Sequence, residues 1–238
     1  MVLSNIPIKV MNNEIMWDTL RSDKGWKLEQ NVITGHARIL NPEDIRLAWG
    51  GVQDMTEAFE RFVKPWKGCK KGDIIAVQRI GGVYSHYAVY IGYGKVIHYG
   101  MDTTADDKNR WICTIHKADF SEFLGTDTCY EVLSFPEDGS DPIHKSINLF
   151  SQNGNLSFRS TFRIFPELKA MLRHLKGYHL YSAKETVDRA YTRLGEDEYS
   201  LAFNNCEHFA LWCKTGLRES SQVDDFWKRF WVGRSVLV

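Results

Sequence analysis

The chain predicts an α+β fold in which an antiparallel sheet packs against helices. Three observations carry this. Helical spacing of apolar residues gives way to alternation near Lys70, the alternating runs follow one another through short glycine turns, and helical spacing returns only after residue 180. The chain has 238 residues, enough for one large domain or a core domain with an extension. Hydrophobic residues make up 43% and charged residues 25%, ordinary globular usage. Thirty Lys+Arg balance thirty Asp+Glu, so no global field draws the protein to nucleic acid.

The first forty residues give weak signals. Asn41 then offers a cap, Pro42 suits a first helical position and Asp44 follows three residues after the cap. Ile45, Leu47, Ala48, Val52, Met55, Ala58, Phe59 and Phe62 share one helical face, so a helix is expected from Asn41, bent at Gly50-Gly51 and ended by Pro65. From Lys70 the segments KKGDIIAVQR, HYAVYIG and KVIHYG read as strands, with turns at Gly81-Gly82 and Gly92-Tyr93-Gly94. RWICTIH and CYEVLSF read as two more, and residues 136–155 as a surface loop. Ser182 and Glu185 form a capping-box pattern ahead of Val187, Ala190, Tyr191 and Leu194, with Gly195 closing the helix. EHFALWCKTG is a second helix, stopped by Gly216.

The five cysteines, Cys69, Cys113, Cys129, Cys206 and Cys213, form an odd set without a CxxC pair. This suits a reducing, cytoplasmic setting better than a disulfide scaffold. The start MVLSNIPIKVMNNE lacks the basic head and apolar run of a signal peptide, and no window approaches eighteen apolar residues.

Cys206 stands out because Asn204-Asn205 cap the helix that begins beside it. A thiolate is favoured at a helix N-terminus, facing unpaired N–H groups and the positive end of the dipole. A cysteine nucleophile needs a base, and the base needs an orienter. His86 and His98 lie on successive strands. Pairing them about Gly92-Tyr93-Gly94, with positions 91 and 93 opposite, makes them near cross-strand partners on one face. One imidazole takes the thiol proton while the other holds its far nitrogen. His208 points elsewhere on the helix and, like Glu207, caps or packs; His36, His116, His144, His174 and His179 suit surface or packing roles. Cys206, His86 and His98 show no short-spaced ligand pair, so neither a metal nor another cofactor is expected.

In order, GDIIAVQR, SHYAVYIG, KVIHYG, a helix ending in RLG and YSLAFNNCEHFALWCKTG resemble the lecithin–retinol acyltransferase family, which includes the H-rev-type phospholipase/acyltransferases. The resemblance runs from about Trp66 to Gly216. It implies a circularly permuted papain-like, NlpC-type fold, with the histidines preceding the cysteine. It further implies that Cys206 is the nucleophile, His86 the general base and acid, and His98 the orienter, with Tyr199 and Asn205 near the site. The implied chemistry takes a fatty acyl group from a glycerophospholipid through a Cys206 thioester and passes it to water, an amine or an alcohol. Two alternatives stay open: a regulatory or scaffold protein that kept the fold without turnover, and an NlpC-type thiol peptidase or amidase.

The expected organisation is a partly helical extension over 1–65, the catalytic domain over 66–218 and a tail over 219–238. The family's hydrophobic membrane helix has no counterpart in SSQVDDFWKRFWVGRSVLV, which is too short and too charged to span. Its Phe226-Trp227-Lys228-Arg229-Phe230-Trp231 alternates aromatic and basic groups, which fits peripheral membrane contact or packing on the domain surface. The resemblance makes phospholipid, and with it a peripheral membrane surface, the expected partners. The sequence does not give an oligomeric state.

Overall fold

The computed structural model describes residues 8–10, 15–79, 84–101, 113–135, 143–150, 179–197 and 205–216. They form an α+β fold, as the spacing pattern predicts, with two antiparallel sheets where one was expected. The chain divides into two compact units. Of the described residues, the first unit takes those up to Gly68 with Phe120–Tyr130 and 146–150, and the second takes the rest. No described helix is long and apolar enough to cross a membrane.

The first unit holds strands β1 (Ile8–Lys9), β2 (Trp17–Asp23), β3 (Trp26–Asn31), β4 (Ala37–Leu40) and β5 (Ile45–Gly50), in the order β1-β5-β4-β3-β2. Helix α1 (Val52–Val63) buries Met55, Ala58, Phe59 and Phe62, a single stripe at helical spacing, against β3, β4 and β5. Phe120, at the start of the short helix α2 (Phe120–Leu124), packs edge-on to Tyr130, whose hydroxyl donates to the Pro65 carbonyl at 2.7 Å.

The helix expected from Asn41 starts eleven residues later, at Val52, so the extension is mostly sheet. Asn41 closes a tight turn instead. Its Oδ1 accepts from the N–H groups of Glu43 at 3.0 Å and Ile45 at 2.8 Å. Asn serves turns as well as caps, and Gly51 then breaks the run between strand and helix. Strand β2 went unread because its middle five positions are exposed, leaving no apolar face for alternation to mark.

The second unit is built on a six-stranded sheet. Its strands are β6 (Ile74–Arg79), β7 (Tyr84–Gly92), β8 (Lys95–Met101), β9 (Cys113–Asp119), β10 (Cys129–Ser134) and β11 (Ile143–Asn148), in the order β11-β10-β6-β7-β8-β9. Two helices, α3 (Ala183–Thr192) and α4 (Asn205–Thr215), follow. One sheet face gives Ile74, Ala76, Tyr87, Val89 and Ile97 to a core with Val187 and Ala190 of α3 and Phe209, Ala210 and Cys213 of α4. The capping box at Ser182 is formed: the N–H of Glu185 donates to Ser182 Oγ at 3.3 Å, and that of Ser182 to Glu185 Oε2 at 2.9 Å. Arg189 ties α3 to α4, donating to the Trp212 carbonyl at 2.9 Å with its guanidinium 3.8 Å from the Trp212 ring.

The β7–β8 hairpin decides which face each histidine takes. Tyr93 (φ 53°) and Gly94 (φ 72°) make a two-residue turn with both central φ values positive, closed by the pair Gly92↔Lys95. That register alone puts His86 and His98 on opposite faces. A bulge between Tyr90 and Gly92 shifts the ladder by one residue, so that Ala88 faces His98 and the two histidines return to one face. They are thus diagonal neighbours, two residues off the direct pairing expected from a turn centred on Gly92.

Candidate active site

The sheet splits where the histidines lie. Pairing of β7 with β8 ends at Ala88↔His98. Beyond that point β7 stays on β6 as far as Arg79↔Tyr84, and β8 stays on β9 as far as Met101↔Cys113. Tyr90 exchanges its main-chain bonds with Asp73 and Gly72 on the β6 side, so the odd residues of β7 address β8. Ser85 and Tyr87 therefore turn their backbone groups into the opening.

Cys206 occupies that opening. It lies in the first turn of α4, and its Sγ donates to the Ser85 carbonyl at 3.9 Å. The N–H groups of Tyr87, Glu207 and Cys206 itself face the sulfur and favour its anion, as expected at a helix N-terminus. Burial outweighs them. The thiol is pushed up to about 12, chiefly by desolvation, with the Glu207 carboxylate adding to it. The resting sulfur is thus a neutral thiol rather than the preformed thiolate that the helix position predicts. The dipole and three N–H groups do not repay the loss of water around the sulfur of a residue only 6% exposed.

The two imidazoles meet directly. His86 Nε2 lies 2.9 Å from His98 Nδ1, with the rings edge to face at 88°. Burial, then the charges of Arg79 and His116, lowers His86 to about 4. His98 is held well below the ordinary histidine range by burial first and then by His86, His116 and Arg79. Both rings are neutral at pH 7, as a base must be before it takes a proton. Gly100 makes room for them, since a Cβ there would lie 2.9 Å from the Cε1 and Nδ1 atoms of His98 and 3.7 Å from Cε1 of His86.

His116, read from the sequence as a packing or surface histidine, belongs to the same group. It pairs directly with His98 across β8 and β9, with ring centroids 4.4 Å apart. The signal that would have found it is register, and residues 102–112 between these strands offer no short turn to count from. Tyr199 lies outside the described residues, as does the side chain of Asn205, the first residue of α4. The segment 219–238, including Phe226 to Trp231, lies outside them too. Glu207 is buried beside Cys206, and His36 and His179 pack on Trp49 and Tyr181. No group of three or more His, Cys, Asp or Glu among the described residues is arranged to hold a metal ion.

Comparison with known proteins agrees with the motif reading. The family model for lecithin retinol acyltransferase matches residues 67–219. The Bos taurus lecithin retinol acyltransferase is 28% identical over 159 residues, which cover 66% of this chain and 59% of the bovine protein. The Mus musculus enzyme is 26% identical over 163 residues, with the same 66% and 59% coverage. The Homo sapiens phospholipase A and acyltransferase 2 is 26% identical over 153 residues, 64% of this chain and 74% of the human protein. The match thus spans under two thirds of the length of the bovine and mouse relatives. Because the family model matches residues 67–219, well over half of the chain and the stretch that holds both histidine strands, the capped helix and the cysteine helix, this chain belongs to the lecithin retinol acyltransferase family.

Proposed function

We propose that the protein is a thiol-dependent acyltransferase or phospholipase, of A1/A2 type when water is the acceptor, working on glycerophospholipid at a membrane surface. The catalytic domain is residues 66–218, and the setting is the cytoplasmic face of a membrane. The observation that carries the reading is the split between β7 and β8, with the Cys206 thiol in it and the His86–His98 pair on the flanking strands.

His98 engages Nε2 of His86, which leaves Nδ1 to receive the thiol proton. With a thiol near 12 and an imidazole near 4, the proton moves as sulfur attacks the ester carbonyl, not before. The S–C bond forms, and negative charge passes to the carbonyl oxygen, where the N–H groups at the start of α4 stabilise it. Collapse breaks the ester C–O bond, and the departing lysophospholipid oxygen takes the proton from His86. Water, an amine or an alcohol then gives His86 a proton, attacks the thioester and releases the sulfur, which His86 reprotonates.

The test is intact-mass measurement after incubation with phosphatidylcholine vesicles. One fatty acyl adduct is expected on the wild type and none on Cys206→Ala. An acylated Cys206→Ala protein, or vesicles hydrolysed equally by both, overturns the reading. The burial of the sulfur favours a second reading, a regulatory protein that kept the fold without turnover. That reading requires the absence of any acyl adduct on the wild type while the protein still binds the vesicles.

A further inference from the structure

We propose that the apolar tip made by Ile15, Val32 and Ile33 in the first unit enters the hydrocarbon edge of a zwitterionic phospholipid surface. The inference deepens the proposed function, which sets the enzyme at a membrane, by naming side chains that reach the lipid. They lie outside residues 67–219, the stretch that the family model matches.

Single apolar residues scattered over a surface are ordinary, whereas three gathered at one point are not. Strand β3 ends at Asn31 and β4 begins at Ala37, and the connection between them carries Val32 at 53% exposure and Ile33 at 70%. Strand β2 begins alongside, with Trp17 paired to Asn31. The N–H of Val32 donates to the Met16 carbonyl at 3.1 Å, so the ladder runs on past β2 and brings Ile15, 86% exposed, level with Ile33. From Asn31 to Ala37 the chain reads NVITGHA, without a single Asp, Glu, Lys or Arg.

Backbone that enters hydrocarbon must satisfy its polar groups without water. The donors of this turn already do so. The N–H of Asn31 donates to the His36 carbonyl at 2.8 Å, and that of Gly35 to the Asn31 carbonyl at 2.9 Å. Asn31 Oδ1 accepts from the N–H groups of Ile33 at 3.0 Å and Thr34 at 2.9 Å. Thr34 Oγ1 accepts from the N–H of His36 at 3.5 Å. With Val32 bonded to Met16, every N–H from Asn31 to His36 has an acceptor in the protein. The same bonds hold Val32 and Ile33 outward, so little ordering is left to be done on insertion. A turn that met only water would need none of this.

Behind the tip come indoles and then cations. Trp17 lies 3.8 Å from the Arg38 guanidinium, and Arg38 pairs with Trp49 across β4 and β5. Gly50 pairs with Ala37 at the tip end, so Arg46, 5.7 Å from the Trp49 ring, is three residues farther from the tip than Trp49. Aliphatic groups, indoles and guanidinium thus follow the order of hydrocarbon, interface and headgroup. The charges are mixed rather than basic. Arg38 is neutralised by Glu29, and Asp54 stands in the first turn of α1, just after β5. The attraction is therefore apolar, which suits a zwitterionic surface. A protein partner fits poorly, because three side chains fall far short of the roughly 800 Å² that each side of a specific interface buries. A bilayer needs no matching pocket.

The experiment is flotation of the full chain with phosphatidylcholine vesicles. The wild type should float equally at about 0.05 M and about 0.5 M salt, a range over which screening removes surface Coulomb attraction. Ile33→Ser should weaken partitioning about 10-fold, and Ile15→Ser, Val32→Ser and Ile33→Ser together about 100-fold or more. Urea unfolding should leave the midpoint of both variants unchanged, since the three side chains are exposed. A wild type that does not float, or floats only at low salt or only with anionic lipid, overturns the proposal, as do variants that float like the wild type. Self-association of the wild type that the triple variant loses would assign the tip to a second copy of the chain and overturn it too. Acylation of the wild type by monomeric short-chain phosphatidylcholine reads the chemistry without a surface. An adduct there with tip-independent flotation overturns this inference alone, and tip-dependent flotation without an adduct overturns the proposed function alone.

Discussion

Helix α4 carries a buried thiol near each end, and the two ends differ in what surrounds them although both are buried. Cys213, two turns after Cys206, is fully buried, and desolvation pushes its thiol up, against the opposing charges of Arg189 and Arg193. Cys206 is pushed up by the same cause. What Cys206 has in addition is an opening in the sheet, the N–H groups of the first helical turn and two neutral imidazoles on the strands beside it. Cys213 has closed core around it, with Arg189 bridging α3 to α4 at that end. A raised thiol therefore says little about whether a cysteine reacts. On the proposed function, the proton acceptor and the room for an ester decide it.

The largest effect expected from that contrast is on turnover. Cys206→Ser should lower phospholipid-directed activity by roughly 10³-fold or more, as loss of a nucleophile does. Cys213→Ala should leave activity within about two-fold and cost about 1–2 kcal/mol through the cavity it opens. Activity on vesicles and urea unfolding of both variants check this. Equal losses of activity would mean that the N-terminal end of α4 is not special.

The second effect is on stability against pH. His86 falls from an ordinary histidine value to about 4 on folding, so between about pH 6.5 and pH 4 the unfolded chain binds the extra proton and stability falls as pH falls. Integrated over that window the loss is about 3 kcal/mol, and His98 adds to it in the same direction. Raised thiols act on the other side, where stability is present at neutral pH and is lost as pH rises above about 8.5. Both ends of α4 share the alkaline limb, and only the Cys206 end has the acid limb. His86→Gln should flatten the acid limb by about 3 kcal/mol and leave the alkaline one. Cys213→Ala should trim only the alkaline limb. Denaturant unfolding across pH 4–10 separates the two, and an unchanged acid limb in His86→Gln would show that His86 is not held neutral.

Sequence carried the parts of this site that depend on residue type and short spacing. The capping box at Ser182 and Glu185, the strands bearing His86 and His98, and the cysteine at the start of a helix all follow from local chemistry. What it did not carry is set by single backbone events or by collective burial. Asn41 satisfies a cap or a turn equally well, and the turn won. The bulge before Gly92 moves the register of a whole hairpin without a distinctive side chain to announce it. The protonation state of Cys206 sums the surroundings of the entire helix start. His116 needed a register across a long connection, which nothing in its own strand supplies.

The smallest perturbation with a defined outcome is one methyl group at Gly100. On β8 the residue faces the point where β7 has left the ladder, and its missing side chain is where the imidazoles sit. A methyl there would lie 2.9 Å from two atoms of the His98 ring, closer than packed atoms approach. The ring cannot yield far, because His86 holds its Nδ1 and His116 lies against its face. Gly100→Ala should therefore cost about 1–3 kcal/mol of stability by overpacking. It should lower kcat about 10- to 100-fold, since a shift of about 1 Å in a catalytic group costs that much. Gly50→Ala is the control, because the added methyl meets only the flexible end of Met55 at 3.4 Å. Stability loss in Gly100→Ala with kcat intact would mean that the His86–His98 contact can move without consequence. The opening beside Cys206 would then matter only as space, and not for the imidazoles on the strands that flank it.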